Sequence, residues 1–94
     1  MQLIEAINKI DALKPNTYST DEKIWWLSEL DGTIKKEIID THEGGESVVF
    51  NGYDSTTPEY TELLVPAPHN EIYLYWLEAK MDYMNGEYSK YNNS

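Results

Sequence analysis

The chain has 94 residues, 17 acidic side chains against 7 lysines, no arginine and no cysteine, for a formal net charge of −10. Disulfides and thiolate metal sites are therefore excluded, and specific binding to DNA, RNA or an anionic membrane is disfavoured, because no guanidinium fork is available for phosphate. A chain this short supports one domain that buries roughly 60–65% of its unfolded surface. Three Trp and eight Tyr stand against a single Phe. Such side chains suit half-buried surfaces and are enriched at protein interfaces.

The opening, MQLIEAINKI, has an acid at Glu5 and no long apolar run, unlike a secretory leader. Leu3, Ile4, Ile7, Ile10 and Leu13 recur at helical spacing, which predicts a first helix over about 2–13, closed by Lys14-Pro15. Ser19 with Glu22 three residues on reads as a capping box, so a second helix is expected over about 20–41. Its core stripe is Ile24, Leu27, Leu30, Ile34 and Ile38, with Trp26 at the edge and able to fold inward. Asp31 falls inside that stripe and needs buried partners, for which backbone N–H groups of a loop would serve. A helix break at Asp31-Gly32 is the alternative, but the periodicity resumes in phase.

Neighbouring helical residues point about 100° apart, so Trp25 cannot share the stripe with Trp26. It lies near Ser28, Gly32 and Ile39 on a second strip, whose small residues would let another backbone approach closely. Either a neighbouring subunit or the chain's own loop is expected to cover it.

Residues 42–69 read as a long loop with two apolar runs, 48–50 and 63–65. Asn51-Gly52 after the first run is a turn signal that leaves room for a short β-hairpin. Loops longer than about 12–15 residues are commonly functional or disordered, and this one carries apolar anchors, Phe50 and Tyr53 among them, for a contact. The last helix is expected over about 71–91, with Asn70 as its cap and Asn85-Gly86 as a candidate end. It carries two apolar lobes: Tyr73, Leu74, Leu77, Met81, Met84 and Tyr88 on one, and Ile72, Trp76, Ala79 and Tyr83 on the other. Two lobes imply a sandwiched helix. Its longest apolar run, residues 72–77, is too short to span a bilayer.

The expected fold class is therefore mainly all-α, a three-helix domain with a long loop between helices 2 and 3. Candidate interface residues are Trp25, Ser28, Gly32 and Ile39 on helix 2, Phe50 and Tyr53 in the loop, and Trp76 and Tyr83 on helix 3. His42 and His69 flank the loop without ligand spacing and read as solvent-exposed. The window 51–62 ends in glutamate like a calcium loop, but it lacks the sixth-position glycine and has Tyr53 at a ligand position. No phosphate loop or nucleophile elbow occurs, so neither catalysis nor a cofactor or metal is expected.

The stretch DEKIWWLSELDG, followed by IIDTHEG from Ile38, resembles small proteins of the head-morphogenesis region in phages and prophages of Gram-positive bacteria. The opening MQLIEAINKIDALKPN agrees, as do Gly52, Tyr53 and Asp54, the run ELLVP from Glu62, and Asn85-Gly86-Glu87 before Tyr91, Asn92 and Asn93. These proteins are similar to head–tail connector (adaptor) proteins. The resemblance implies a virion neck component, assembled in the host cytoplasm as a ring of about a dozen copies. Its partners would be the portal protein, the next neck or tail-completion protein, and itself. Such a ring extends the DNA channel, and an acidic lumen would let DNA slide without binding it. Relatives of that kind continue past the Tyr-Asn-Asn stretch into a further helical segment, which puts the portal contact of this chain in doubt. Two other readings are an acidic DNA mimic that inhibits a nucleic-acid enzyme and a transient phage assembly chaperone. The acids are scattered over all segments, which weighs against the mimic.

Overall fold

The first helix, α1, spans Leu3–Leu13 and buries Leu3, Ala6, Ile7 and Ile10 on one face. Glu5 accepts a hydrogen bond from the backbone N–H of Gln2 at 3.0 Å. The orphan N–H groups of the first turn are met from the far side of the sequence: Leu3 donates to the Thr61 carbonyl at 2.8 Å and Ile4 to the Glu59 carbonyl at 3.0 Å. Pro15 disfavours a helical conformation at Lys14, and the helix stops there. Leu13, expected with the core-facing set, is instead largely exposed, because it sits in the last turn, where the stripe has drifted off the core.

The second helix, α2, spans Thr20–Glu37 in this computed structural model, which describes residues 1–92. Ser19 caps it: its hydroxyl accepts from the Glu22 N–H at 3.1 Å, and Glu22 returns the bond to the Ser19 N–H at 3.4 Å. Ile24, Trp26, Leu27, Leu30, Asp31 and Ile34 are buried, so the helix runs unbroken through Asp31-Gly32. Lys23 is buried as well, its ammonium 2.8 Å from Asp11 of α1. The helix is shorter than its pattern predicts. After Glu37 the chain tightens into a 3-10 turn at Ile39–Thr41, and Ile38 is left exposed.

A second 3-10 turn follows at Gly45–Ser47. Gly44 precedes it with φ 82°, a conformation that L side chains rarely adopt. Gly45 is buried beneath the Ile39 carbonyl, and a Cβ there would lie 1.8 Å from that oxygen. The hairpin for which the sequence left room does not form. Among the described residues there is no strand, only an isolated antiparallel bridge between Gln2 and Glu62. The run 63–65 turns to the N-terminus and to α2 rather than to the run 48–50, and Leu63 donates to the Met1 carbonyl at 3.0 Å.

The third helix, α3, spans Ile72–Asn92 behind a 3-10 turn at His69–Glu71. Asn70 lies inside that turn rather than capping the helix. Asn85-Gly86 does not end it either: φ is positive only at Gly44 and Gly52 among the described glycines. A helical glycine costs about 1 kcal/mol relative to alanine, which a long helix absorbs. Tyr18 helps to hold this turn by donating to the Asn85 side chain at 2.5 Å.

α2 and α3 run in opposite directions: Tyr18, just before α2, meets Asn85, whereas Asp31 meets Tyr73. Tyr73, Leu77 and Met81 of α3 are fully buried against Leu3, Ile7 and Ile10 of α1 and Leu27 of α2 in one core. The fold is thus all-α, three helices with a long connection laid over them.

Candidate functional site

The connection between α2 and α3 is held by one buried carboxylate. Asp31 is completely inaccessible and takes three hydrogen bonds. Tyr53 donates to one carboxylate oxygen at 2.5 Å, the Leu64 N–H donates to the same oxygen at 3.1 Å, and Tyr73 donates to the other at 2.7 Å. The Tyr73 hydroxyl also accepts from the Val65 N–H at 2.7 Å. Burial, and after it the hydrogen bond to Asp31, pushes both tyrosine pKa values far above the ordinary value. Helix α2, the loop and α3 are therefore tied at a single point with every buried polar side-chain atom among the described residues satisfied. The expectation of loop N–H partners for Asp31 covers one of these three bonds, that from Leu64. The tyrosine hydroxyls were not foreseen, although Tyr73 at the start of an apolar lobe was the available signal.

The strip of small residues on α2 is approached by a backbone, and that backbone is the chain's own. Gly52, at φ 88°, passes Ser28, and the Tyr53 N–H donates to the Ser28 hydroxyl at 3.0 Å. Phe50 covers Gly32, its ring 3.6 Å from where a Cβ would stand, and meets Tyr53 edge-to-face at 5.0 Å. Ser28, Gly32, Phe50 and Tyr53 are thus engaged within the chain. Tyr53 is buried and has no free surface to offer a neighbour, which corrects its assignment as an interface residue. Ile39 packs partly buried against the core.

Trp76 turns toward α2, where its indole N–H donates to the Trp26 carbonyl at 2.7 Å. Lys80 lies over the Trp76 ring at 4.9 Å and pairs with Glu29 at 3.4 Å. Trp26 itself is buried and meets Tyr18 edge-to-face at 5.4 Å. Only Trp25 and Tyr83 of the proposed set stand open, at 63% and 64% exposure. No family model, curated protein or solved structure matches this chain.

The remaining chemistry is sparse. No group of three or more His, Cys, Asp or Glu side chains fit to hold a metal ion occurs among the described residues. His42 and His69 are exposed, and the His42 ring nitrogen Nδ1 lies 2.7 Å from the Ile38 carbonyl. Among the described residues no helix is long and apolar enough to cross a membrane. Burial raises the pKa of Asp11, but hydrogen bonds from Lys23 and Asn16 outweigh it and hold the carboxyl below its usual range. The pairing of buried Lys23 with the half-exposed Asp11 is not legible in the sequence, because a lysine one turn into a helix reads as solvent-facing. The large apolar groups left open are both aromatic and aliphatic: Trp25 on α2, Tyr60 in the loop, and Tyr75, Tyr83 and Tyr88 on α3 are largely exposed, and so are Leu13, Ile38 and Val49.

Proposed function

We infer that this chain is a structural subunit of a phage neck, a head–tail connector that joins copies of itself in a ring and docks to the portal and to the next neck protein. The observation that carries this reading is the spread of large exposed aromatics over separate elements, with Trp25 on α2, Tyr60 in the loop and Tyr83 on α3. A ring closes through a heterologous contact, in which each subunit presents two unlike patches, and docking adds a third. Covering these rings in contacts between subunits would be favourable by roughly 25 cal/mol per Å² of apolar surface removed from water. The three-helix body with its long loop also agrees with the architecture that the sequence resemblance implies. The charge of −10 suits a channel lining past which DNA moves without lasting phosphate contacts.

Native mass spectrometry over a concentration series tests the reading. The expected result is a closed oligomer of about a dozen copies, weakened by Trp25→Ala or Tyr83→Ala. A stable dimer at all concentrations overturns it, because an isologous pair uses up its own patch and cannot close a ring.

A further inference from the structure

Where the C-terminal turn of α1 meets α3, the molecule leaves an open groove of about 220 Å³. Its walls are Ile10, Leu13, Leu74 and Tyr75, and Glu71 and Glu78 stand at its rim. Leu13 and Tyr75 are 71% and 67% exposed, so the groove is lined by large apolar groups that the isolated chain does not cover. Pockets for drug-sized ligands run to about 300–1,000 Å³, so this space suits one or two side chains rather than a cofactor.

The rim decides what those side chains are attached to. Glu71 and Glu78 form no ion pair among the described residues, while the nearby Lys14 is committed to Asp82 at 2.6 Å. Lys14 does feel Glu78, which adds to the rise in its pKa that begins with the Asp82 hydrogen bond. One cation among three carboxylates leaves the edge of an apolar slot negative. A nucleic acid or an anionic membrane is repelled there. A second copy is the weaker match: it carries no arginine, and five of its seven lysines, Lys14, Lys23, Lys35, Lys80 and Lys90, already pair with acids of their own chain, which among the described residues leaves only Lys9 and Lys36 to offer.

We propose that this groove docks a basic segment of a partner protein, with one aliphatic or aromatic side chain seated between Leu13 and Tyr75 and flanking lysine or arginine groups against Glu71 and Glu78. An amphipathic helix with apolar anchors along one side has the required form. The inference rests on the docking half of the connector reading only in taking the occupant to be a protein; ring closure is measured separately.

The test uses the full chain and a short labelled peptide that presents leucine on one helical face and lysine on the other, with fluorescence anisotropy as the readout. Any basic peptide is drawn to so acidic a protein, so two variants of equal net charge are compared. Glu71→Gln/Glu78→Gln is expected to weaken binding about tenfold, the loss of roughly one well-placed charge contact, while Glu43→Gln/Glu46→Gln in the exposed loop changes it by no more than about twofold. Leu13→Ser, at an exposed position that leaves the fold intact, is expected to weaken binding by a similar factor. Equal weakening by both charge pairs would reduce the effect to bulk electrostatics and overturn the proposal, as would failure of the lysine peptide to bind. If Leu13→Ser changes the oligomeric state and leaves peptide binding untouched, the groove belongs to a second copy and the proposal falls. A ring that forms normally without peptide binding would remove the groove proposal and leave the connector reading standing.

Discussion

Residues 42–49 and 50–65 belong to one connection between α2 and α3, yet they are held in different ways. The first part turns on short-range bonds: His42 and Thr41 reach back to the Ile38 carbonyl, and Lys35 bonds both Asp40 and the Gly45 carbonyl. Its apolar residues do little, since Val48 and Val49 are exposed. The second part reaches across the molecule, through Phe50 on Gly32, Tyr53 on Ser28 and Asp31, Leu64 on Asp31, and Leu63 on Met1. The second part is twice as long, 16 residues against 8, and richer in apolar side chains, six against two, but neither difference fixes where it attaches. What separates them is a buried carboxylate that can be satisfied only by bringing the second part in.

That difference breaks most visibly at Asp31. Asp31→Ala leaves two tyrosine hydroxyls and the Leu64 N–H without their acceptor inside the core, and is expected to cost about 3–5 kcal/mol in urea unfolding, the range for removing one member of a buried charged set. Where that variant fails to fold, Tyr53→Phe serves instead. It removes one hydrogen bond to the carboxylate, at an expected cost of about 1.5–3 kcal/mol. In hydrogen exchange, Tyr53→Phe should expose the amides of Tyr53 and Leu64 ahead of that of Val48. Equal loosening of both parts would show that they form one unit.

Gly45→Ala strikes the other part. The added methyl would overlap the Ile39 carbonyl, and backbone is the obstacle rather than the far end of a flexible side chain. The expected loss is about 1–3 kcal/mol, with disturbed amides confined to the stretch from Ile39 to Val48. Perturbation of Leu64 in that variant would contradict the separation of the two parts.

This contrast also accounts for what could be read in the sequence. The capping box at Ser19, the inward turn of Trp26 and the phase of Asp31 are local regularities of one helix, and each stands in the structure. Ile38 and Asn85-Gly86 misled in opposite directions. Ile38 continues the period of α2, but the chain leaves the helix before it; Asn85-Gly86 reads as a stop, but the helix runs through it, with Met81 buried one turn before and Tyr18 bonded to Asn85. The strip at Ser28 and Gly32 was read correctly as a place for close backbone approach. Its occupant, residues 50–53, was not legible, because the choice between an intramolecular loop and a neighbour depends on a tyrosine finding a carboxylate 22 residues away. The exposed groove at Leu13 and Tyr75 was hidden for a different reason, since helical spacing groups Leu13 with Leu3, Ile7 and Ile10, which are buried.

The smallest effect lies within the second part, in the exposed turn that follows Tyr53. Asp54 accepts from the Thr56 N–H at 2.8 Å and the Thr56 hydroxyl at 2.5 Å, while its own N–H donates to the Thr57 hydroxyl at 2.9 Å. The Thr56 hydroxyl and then the Thr56 N–H hold the Asp54 carboxyl below its usual range, against a slight opposing effect of burial. A depressed folded value means that the contribution is present above the unfolded value, about 3.9, and is lost as pH falls through the lower folded value. The Thr56 amide shift, followed by NMR into acid, should therefore titrate with a midpoint below about 3.9. Asp54→Asn, which keeps an acceptor oxygen and loses the proton equilibrium, should abolish that titration, whereas the acid response of Asp11 between α1 and α2 should persist. The Tyr53 and Leu64 amides should stay protected through this step, because they are bonded to Ser28 and Asp31 of α2 and not to the turn between them. A Thr56 midpoint at or above the ordinary aspartate value would mean that the turn is open in solution, and that the second part of the connection is held at its ends alone.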